Sequence, residues 1–184
     1  MGVFDFFKKN KNEDPSQLHY KKHKTIGGNG VRKMYYDNGK GPLESTVNVV
    51  DGYWDGEKVY YRRDGSISST SRYVHDLYDR DKLGSHEEKV ESGLFVYLSN
   101  NIFGEMKEYY ENGNIKIIAN RHYTSDGKVY DFGIWQYFDS NGELCDVLDF
   151  GNPTPCEFSN KKHFDKKIKE IEIQRIKFKD FITK

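Results

Sequence analysis

The sequence predicts a mainly β protein: a meander of antiparallel β-hairpin repeats forming an extended or rolled sheet. A C-terminal helix and a short N-terminal helical segment complete the expected fold. Three observations carry this reading. Two glycines nine residues apart recur four times, at Gly30 and Gly39, Gly56 and Gly65, Gly104 and Gly113, and Gly133 and Gly142. Each interval encloses an aromatic pair: Tyr35-Tyr36, Tyr60-Tyr61, Tyr109-Tyr110 and Tyr137-Phe138. Each closes on Asn-Gly or Asp-Gly, a strong hairpin signal because both residues tolerate the positive φ of a tight turn. Self-similarity at short range marks a repeat architecture, in which units bury their apolar faces by stacking on neighbours.

Residues 1–24 form a separate segment and linker. Val3, Phe4, Phe6 and Phe7 supply one short apolar helical turn, and the polar stretch KKNKNEDPSQ, with Pro15, reads as the linker. The opening MGVFDFFKKNKNED lacks the basic region and long apolar run of a signal peptide. Phe6 stands where a myristoylation signal would place Ser or Thr. A cytoplasmic protein is therefore expected. His19 and His23 could share a helical face, but no acidic residue or cysteine completes a metal set, so no metal is expected there. GGNG at 27–30 lacks the Lys-Ser/Thr ending of a phosphate loop and reads as a permissive turn.

The repeat domain is placed at 25–150. Each copy is a strand closed by a turn, and the returns are β-rich: TVNVV at 46–50, IKII at 115–118 and LCDVLDF at 144–150. Asp51-Gly52 and Asp126-Gly127 make a second set of turns that leads into the next copy. Strand alternation then sorts the side chains. The fifth residue after each leading glycine is Tyr35, Tyr61, Tyr109 or Phe138, aromatic in every copy and expected on the buried face as one ladder. With the turn glycines Gly39, Gly65, Gly113 and Gly142, these residues form the expected structural core of the repeat. The fourth residue is Met34, Tyr60, Glu108 or Tyr137, a mixed set suited to a half-exposed face. The leading glycines are 26, 48 and 29 residues apart, and the middle interval leaves room for a further copy. Gly84 and Gly93 keep the nine-residue spacing but enclose no aromatic, so residues 70–92 are either a degenerate unit or a long insertion. LFVYL at 94–98 resumes as a strand.

After Gly151 the texture changes. NPTP breaks the sheet, and residues 151–184 form a basic tail. Phe164, Ile168, Ile171, Phe178 and Ile182 fall on one helical stripe, with Arg175 in the missing position. IEI and IKF alternate as strands do, which keeps a strand open as the alternative. Residues 161–184 carry nine basic residues against four acidic ones. A helix packed on the sheet edge explains them without a nucleic-acid contact.

Lys plus Arg equals Asp plus Glu over the chain, so no global field attracts nucleic acid or an anionic membrane. Fourteen Tyr and twelve Phe make aromatics the main source of buried area. Cys145 and Cys156 are too few for a disulfide framework and read as reduced thiols, with a single bridge as the alternative. No run approaches the ~20 apolar residues that span a bilayer, so no membrane insertion is expected. No nucleophile elbow, zinc-protease helix, paired CxxC or dinucleotide loop occurs, so no catalytic residue and no cofactor is expected. Two carboxylates meeting across the folded sheet are the remaining route to an enzyme.

The repeated phrase, glycine, an aromatic pair, then Asn-Gly or Asp-Gly, resembles the variant MORN repeat of bacterial proteins. YWDGEKVYYRRDG and VYDFGIWQYFDSNG look like that family's double unit, and the likeness covers roughly residues 30–150. The long spacer after Gly65 and both terminal segments depart from it. The resemblance implies MORN-like hairpins and a non-catalytic protein-binding role, because many such proteins are antitoxins or immunity proteins. The implied partner is a cognate protein toxin acting in the cytoplasm; a MORN-type scaffold for a membrane surface or structural partner is the alternative. The repeat motif confers stacking and defines no contact set. Partner-binding candidates therefore come from the anchoring habit of Tyr, Trp and Arg at interfaces: Tyr53, Trp54, Tyr78, Arg80 and Trp135.

Overall fold

The computed structural model describes residues 29–50, 53–74, 102–123, 128–155 and 159–183. Among them eight strands make one sheet in chain order: β1 (Gly30–Tyr35), β2 (Leu43–Val50), β3 (Tyr53–Tyr61), β4 (Ile67–Tyr73), β5 (Ile102–Tyr109), β6 (Ile115–Tyr123), β7 (Val129–Phe138) and β8 (Leu144–Asp149). Every neighbouring pair is antiparallel. β1 and β8 do not pair with each other, so the meander is an open sheet. Helix α1 (Lys161–Lys177) and the single turn α2 (Lys179–Ile182) follow. No helix among the described residues is long and apolar enough to cross a membrane.

The hairpin turns use the Asn/Asp-Gly pair differently from the sequence expectation. Gly113 has φ 86°, and its N–H donates to Tyr110 O at 3.0 Å while Tyr110 N–H donates to Asn114 O at 2.9 Å. This is a tight turn followed by a left-handed glycine bulge, which an L side chain would strain. The same bonds recur from Arg62 to Ser66 and from Asp139 to Glu143. Asn112 and Asp64 keep negative φ and instead accept the N–H two residues on, at 3.0 and 2.8 Å; in the fourth copy the acceptor is Asp139, two residues before Asn141 of the pair, at 2.8 Å. Their role is a side-chain acceptor in the turn. Among the described non-glycine residues only Asp37 and Asn38, in the first copy, take positive φ.

The leading glycines make a second kind of break. The ladder register slips opposite Gly56, Gly104 and Gly133, between Val47 and Val49, Ser71 and Tyr73, and Ile118 and Asn120. Each slip is a β-bulge that bends its strand. The repeat interval is therefore the length of strand between a bulge and a turn.

β4, ISSTSRY, pairs directly with β5. No strand stands between them in the sheet, and residues 75–101, which make up most of the long middle interval, lie outside the described residues. LFVYL, Gly84, Gly93, the N-terminal segment, and the Asp51-Gly52 and Asp126-Gly127 turns lie outside the described residues.

One apolar cluster sits on one face of the second half of the sheet, while Val47, Val49 and Tyr73 are buried on the opposite face. In the cluster, Phe103, Phe132, Ile134 and Val147 are buried against Phe164 and Ile171 of α1 and Phe178 just after it. The Phe103 and Phe164 rings are 4.7 Å apart. Asn160 caps α1 by accepting Lys162 N–H at 3.0 Å. The tail is thus helical, and the predicted stripe faces the sheet. Arg175, the polar residue in that stripe, grips Asp149 of β8 with Nε at 2.5 Å and Nη2 at 3.0 Å, and donates to Asn152 at 2.7 Å. The guanidinium holds the Asp149 carboxyl below its ordinary range. Arg175→Ala is expected to cost about 1 kcal/mol in urea denaturation, since both groups remain partly solvated.

The aromatic ladder is a correction. Register places Tyr35, Tyr61, Tyr109 and Phe138 on the helix-covered face, yet Tyr35 is 44% exposed and the other three are half-buried. The reason is where α1 lands. It covers Phe103, His122 and Phe132, at the strand ends away from the hairpin turns. The ladder stands at the turn end, beyond the helix.

Candidate interaction surface

The turn end is held together by the sixth residue after each leading glycine. Tyr36 OH donates to Tyr61 O at 2.6 Å, Arg62 Nη2 to Tyr109 O at 2.5 Å, and Tyr110 OH to Phe138 O at 2.9 Å. Each copy thus fastens its side chain to the main chain of the next copy, at the aromatic position. The fourth copy has no successor in the sheet, and its sixth residue, Asp139, caps its own turn. Backbone N–H groups of Glu143 and Asn141 hold that carboxyl below its ordinary range. Asn112 and Asn114 both donate to Ser140 O, at 2.7 and 2.8 Å, and Arg63 pairs with Asp37 across the first two turns. Tyr110→Phe removes one such bond and is expected to cost about 1 kcal/mol by chemical denaturation.

These clasps escape a reading of the sequence by faces, although a signal is present. The aromatic pair occupies the fifth and sixth positions in copies one and three but the fourth and fifth in copies two and four. That alternation marks the sixth position as a site of its own.

The clasps leave one ring per copy, at the fifth position, in a row across β1, β3, β5 and β7. Successive rings are two strands apart, roughly 9.5 Å. Tyr61 OH lies 3.5 Å from Thr46 Oγ1, within the same face. Beside the row, at the hairpin ends, lies a shallow hollow lined by Arg62, Tyr109, Tyr110, Glu111, Asn112, Lys116 and Ser140. Row and hollow share Tyr109.

The opposite face carries the two tryptophans. Lys58 is only 6% exposed, its Nζ 4.2 Å from the Trp54 ring and 4.5 Å from the Tyr60 ring, so the desolvated ammonium is held by aromatic faces. Tyr73 meets Trp54 edge-on at 5.1 Å, and burial pushes its phenol pKa up. Trp135 is buried; it donates to Asn120 O at 3.2 Å and lies 5.2 Å beneath Arg121, which pairs with Asp131 at 2.7 Å. Phe150 packs 4.8 Å from it. Of the predicted partner-binding residues, Trp54 and Trp135 lie on this face, four strands apart, Trp135 buried and Trp54 half-buried like Tyr53. Tyr78 and Arg80 lie outside the described residues.

Beneath α1, His122 is buried among Phe103, Phe164 and Tyr130, and its Nε2 has no hydrogen-bond partner among the described residues. Burial lowers its pKa to about 4. Among the described residues no group of His, Cys, Asp and Glu is arranged to hold a metal ion.

The MORN repeat variant family matches residues 29–41 and 104–123. The first match spans the first copy's strand and turn, and the second spans the β5–β6 hairpin with its clasp residue Tyr110. Neither the curated proteins nor the solved structures yield a match. The matched repeat suggests a non-catalytic repeat or binding module.

Proposed function

We propose that this chain is an antitoxin or immunity protein, a binding module whose repeat sheet holds a cognate bacterial toxin acting in the cytoplasm and blocks its working site. The observation that carries the binding part is the half-exposed aromatic row beside the hollow at Arg62, Tyr109 and Lys116. Tyr and Arg are the residues that most often anchor interfaces. Here their backbones are fixed by the clasps before any partner arrives, so little ordering entropy is lost on association. A stable contact needs about 800 Å² on each partner, and a row crossing seven strands with its adjoining hollow offers a surface of that order. The toxin part rests on the repeat's resemblance to those of antitoxins.

The test is co-expression with the product of the adjacent gene, read by size-exclusion chromatography and by growth. A stoichiometric complex together with rescued growth is the expected result. No complex and no toxicity would sink the reading. Binding of the chain to anionic vesicles, with no protein complex, would move it to a membrane-surface scaffold.

A further inference from the structure

We infer that the outer edge of β1 takes up an extended, acidic segment of another protein as an added strand. The two edges of the sheet carry this inference, which stands apart from the aromatic row.

The edges differ. At β8 the sheet is closed by its own side chains. Val147 N–H is taken by Asp146 Oδ1 at 2.8 Å, and Asp149 holds Gly151 N–H at 2.9 Å as well as Arg175. Asp139 stands where a clasp donor would reach onward, and it caps its own turn instead. At β1 none of these devices appears among the described residues. β2 is its one neighbour in the sheet, no side chain donates to Tyr35 O, and Val31 is 65% exposed. An open edge presents unpaired N–H and C=O groups, a template for another extended chain.

Side chains set which chain. Residues opposite one another across a ladder share a face. Arg32 lies opposite Val47 and Met34 opposite Ser45, on the tryptophan face, while Val31, Lys33 and Tyr35 lie on the other. Neither Arg32 nor Lys33 has an ion-pair partner among the described residues, whereas Arg63, Lys107, Arg121, Lys167 and Arg175 all do. Glu44, the one acidic residue of β2, is the bulged residue between the partners of Met34 and Tyr35. The two unpaired cations are thus neighbours in the chain on opposite faces of the sheet. An added strand neutralises both with two adjacent acidic residues, and meets Met34 and Val31 with apolar residues on either side of them.

The same charges exclude the nearer occupants. Two β1 strands in full antiparallel overlap set Arg32 directly opposite Lys33, a destabilising like-charge pair. The stretch just upstream, HYKKHK at 19–24, carries the same sign. The β8 edge of a second copy is acidic, but it is closed.

The probe is a capped peptide of about eight residues with two adjacent glutamates flanked by valine and threonine. One control separates the glutamates by one residue, which places both on one face. A second replaces them with lysines, and a third is N-methylated along its backbone and cannot donate. Each is titrated into the full chain by fluorescence anisotropy, and amide shifts are mapped. The adjacent-glutamate peptide is expected to bind about ten-fold tighter than the lysine peptide and about three-fold tighter than the separated one, weakening as salt rises. N-methylation abolishes binding, and the shifts fall on β1 and β2. Arg32→Glu with Lys33→Glu reverses the preference to the lysine peptide, a gain that a misfolded chain would not show.

No binding below about 1 mM, equal binding of either charged control, retention by the N-methylated peptide, or shifts on β8 in place of β1 overturns the inference. Self-association of the chain that is lost on charge reversal also overturns it, and assigns the edge to a second copy. A toxin complex from co-expression with no acidic-peptide binding removes this edge and leaves the proposed function standing. Acidic-peptide binding without any toxin complex does the reverse.

Discussion

Gly133→Val is expected to lift α1 from the sheet and to cost several kcal/mol, far more than the loss of the Arg175 ion pair or of one tyrosine clasp. Two independent effects add. Gly133 has φ 67°, and a β-branched residue in that left-handed region costs about 1–3 kcal/mol. A β-carbon built at 133 would also stand 3.0 Å from Ile171 Cγ1, 3.1 Å from its Cδ1 and 3.3 Å from Asn120 Nδ2. Ile171 is fully buried and cannot retreat, so overpacking adds about 1–3 kcal/mol. A total near 4 kcal/mol is a large part of the roughly 5–15 kcal/mol that holds a domain folded. Urea denaturation would measure it, and amide exchange across 161–177 would show whether the helix opens before the sheet. The clash and the strain can be separated: pairing Gly133→Ala with Ile171→Ala should cost less than the sum of the two, because the shortened side chain vacates the contested space. A Gly133→Val chain with an unchanged midpoint would refute the packing of α1 on β7.

Acid is expected to weaken the fold by about 3 kcal/mol between pH 6.5 and pH 4, through His122 alone. Its folded pKa of about 4 lies below the ordinary value of 6.5. Above pH 6.5 both folded and unfolded chains hold the ring neutral, and His122 contributes no pH dependence. As pH falls, the unfolded chain takes up a proton that the folded chain refuses, and stability declines with pH. Near pH 4 the folded ring titrates too and the loss levels off; the two and a half units between the pKa values correspond to about 3 kcal/mol. The cause is burial: Phe103, Phe164 and Tyr130 surround the ring, and none can share its charge. The lowered carboxylates, Asp149 beside Arg175 and Asp139 in its turn, act in a different window. Their stabilisation is present above about pH 3.9 and lost only below it. His122→Leu is therefore expected to flatten the stability profile between pH 6.5 and 4 while leaving the steeper acid limb. A profile unchanged by that substitution would show that His122 is not the responsible group.

Much of the architecture was legible because it depends on local chemistry. Asn-Gly and Asp-Gly at a fixed distance from a leading glycine announced strand, turn and return, and the stripe from Phe164 to Ile182 announced a helix. β4 was not legible, because ISSTSRY lacks the apolar alternation of its sister strands; its backbone pairs on both sides all the same. The burial of the ladder was not legible for a different reason. Alternation tells which side chains share a face, but which end of a strand is covered depends on where a helix from beyond residue 160 comes to rest. Residue type at Trp54 and Trp135 does not separate anchoring from packing, since an indole suits both; what sequence could not show is that each packs beside a buried polar residue, Lys58 or Asn120. The clasps lay out of reach of any face argument because their acceptor is main chain.

That choice of acceptor has an evolutionary consequence. A carbonyl oxygen is supplied by whichever residue stands at the receiving position, so the fastening does not read the side chain it lands on. Phenol and guanidinium both serve as the donor, from Tyr36, Arg62 and Tyr110. Selection can therefore rewrite the outward ring of one hairpin without renegotiating the joint to the hairpin beside it. Duplication is equally tolerated, because a copied unit arrives carrying its own donor and meets an acceptor that is always there.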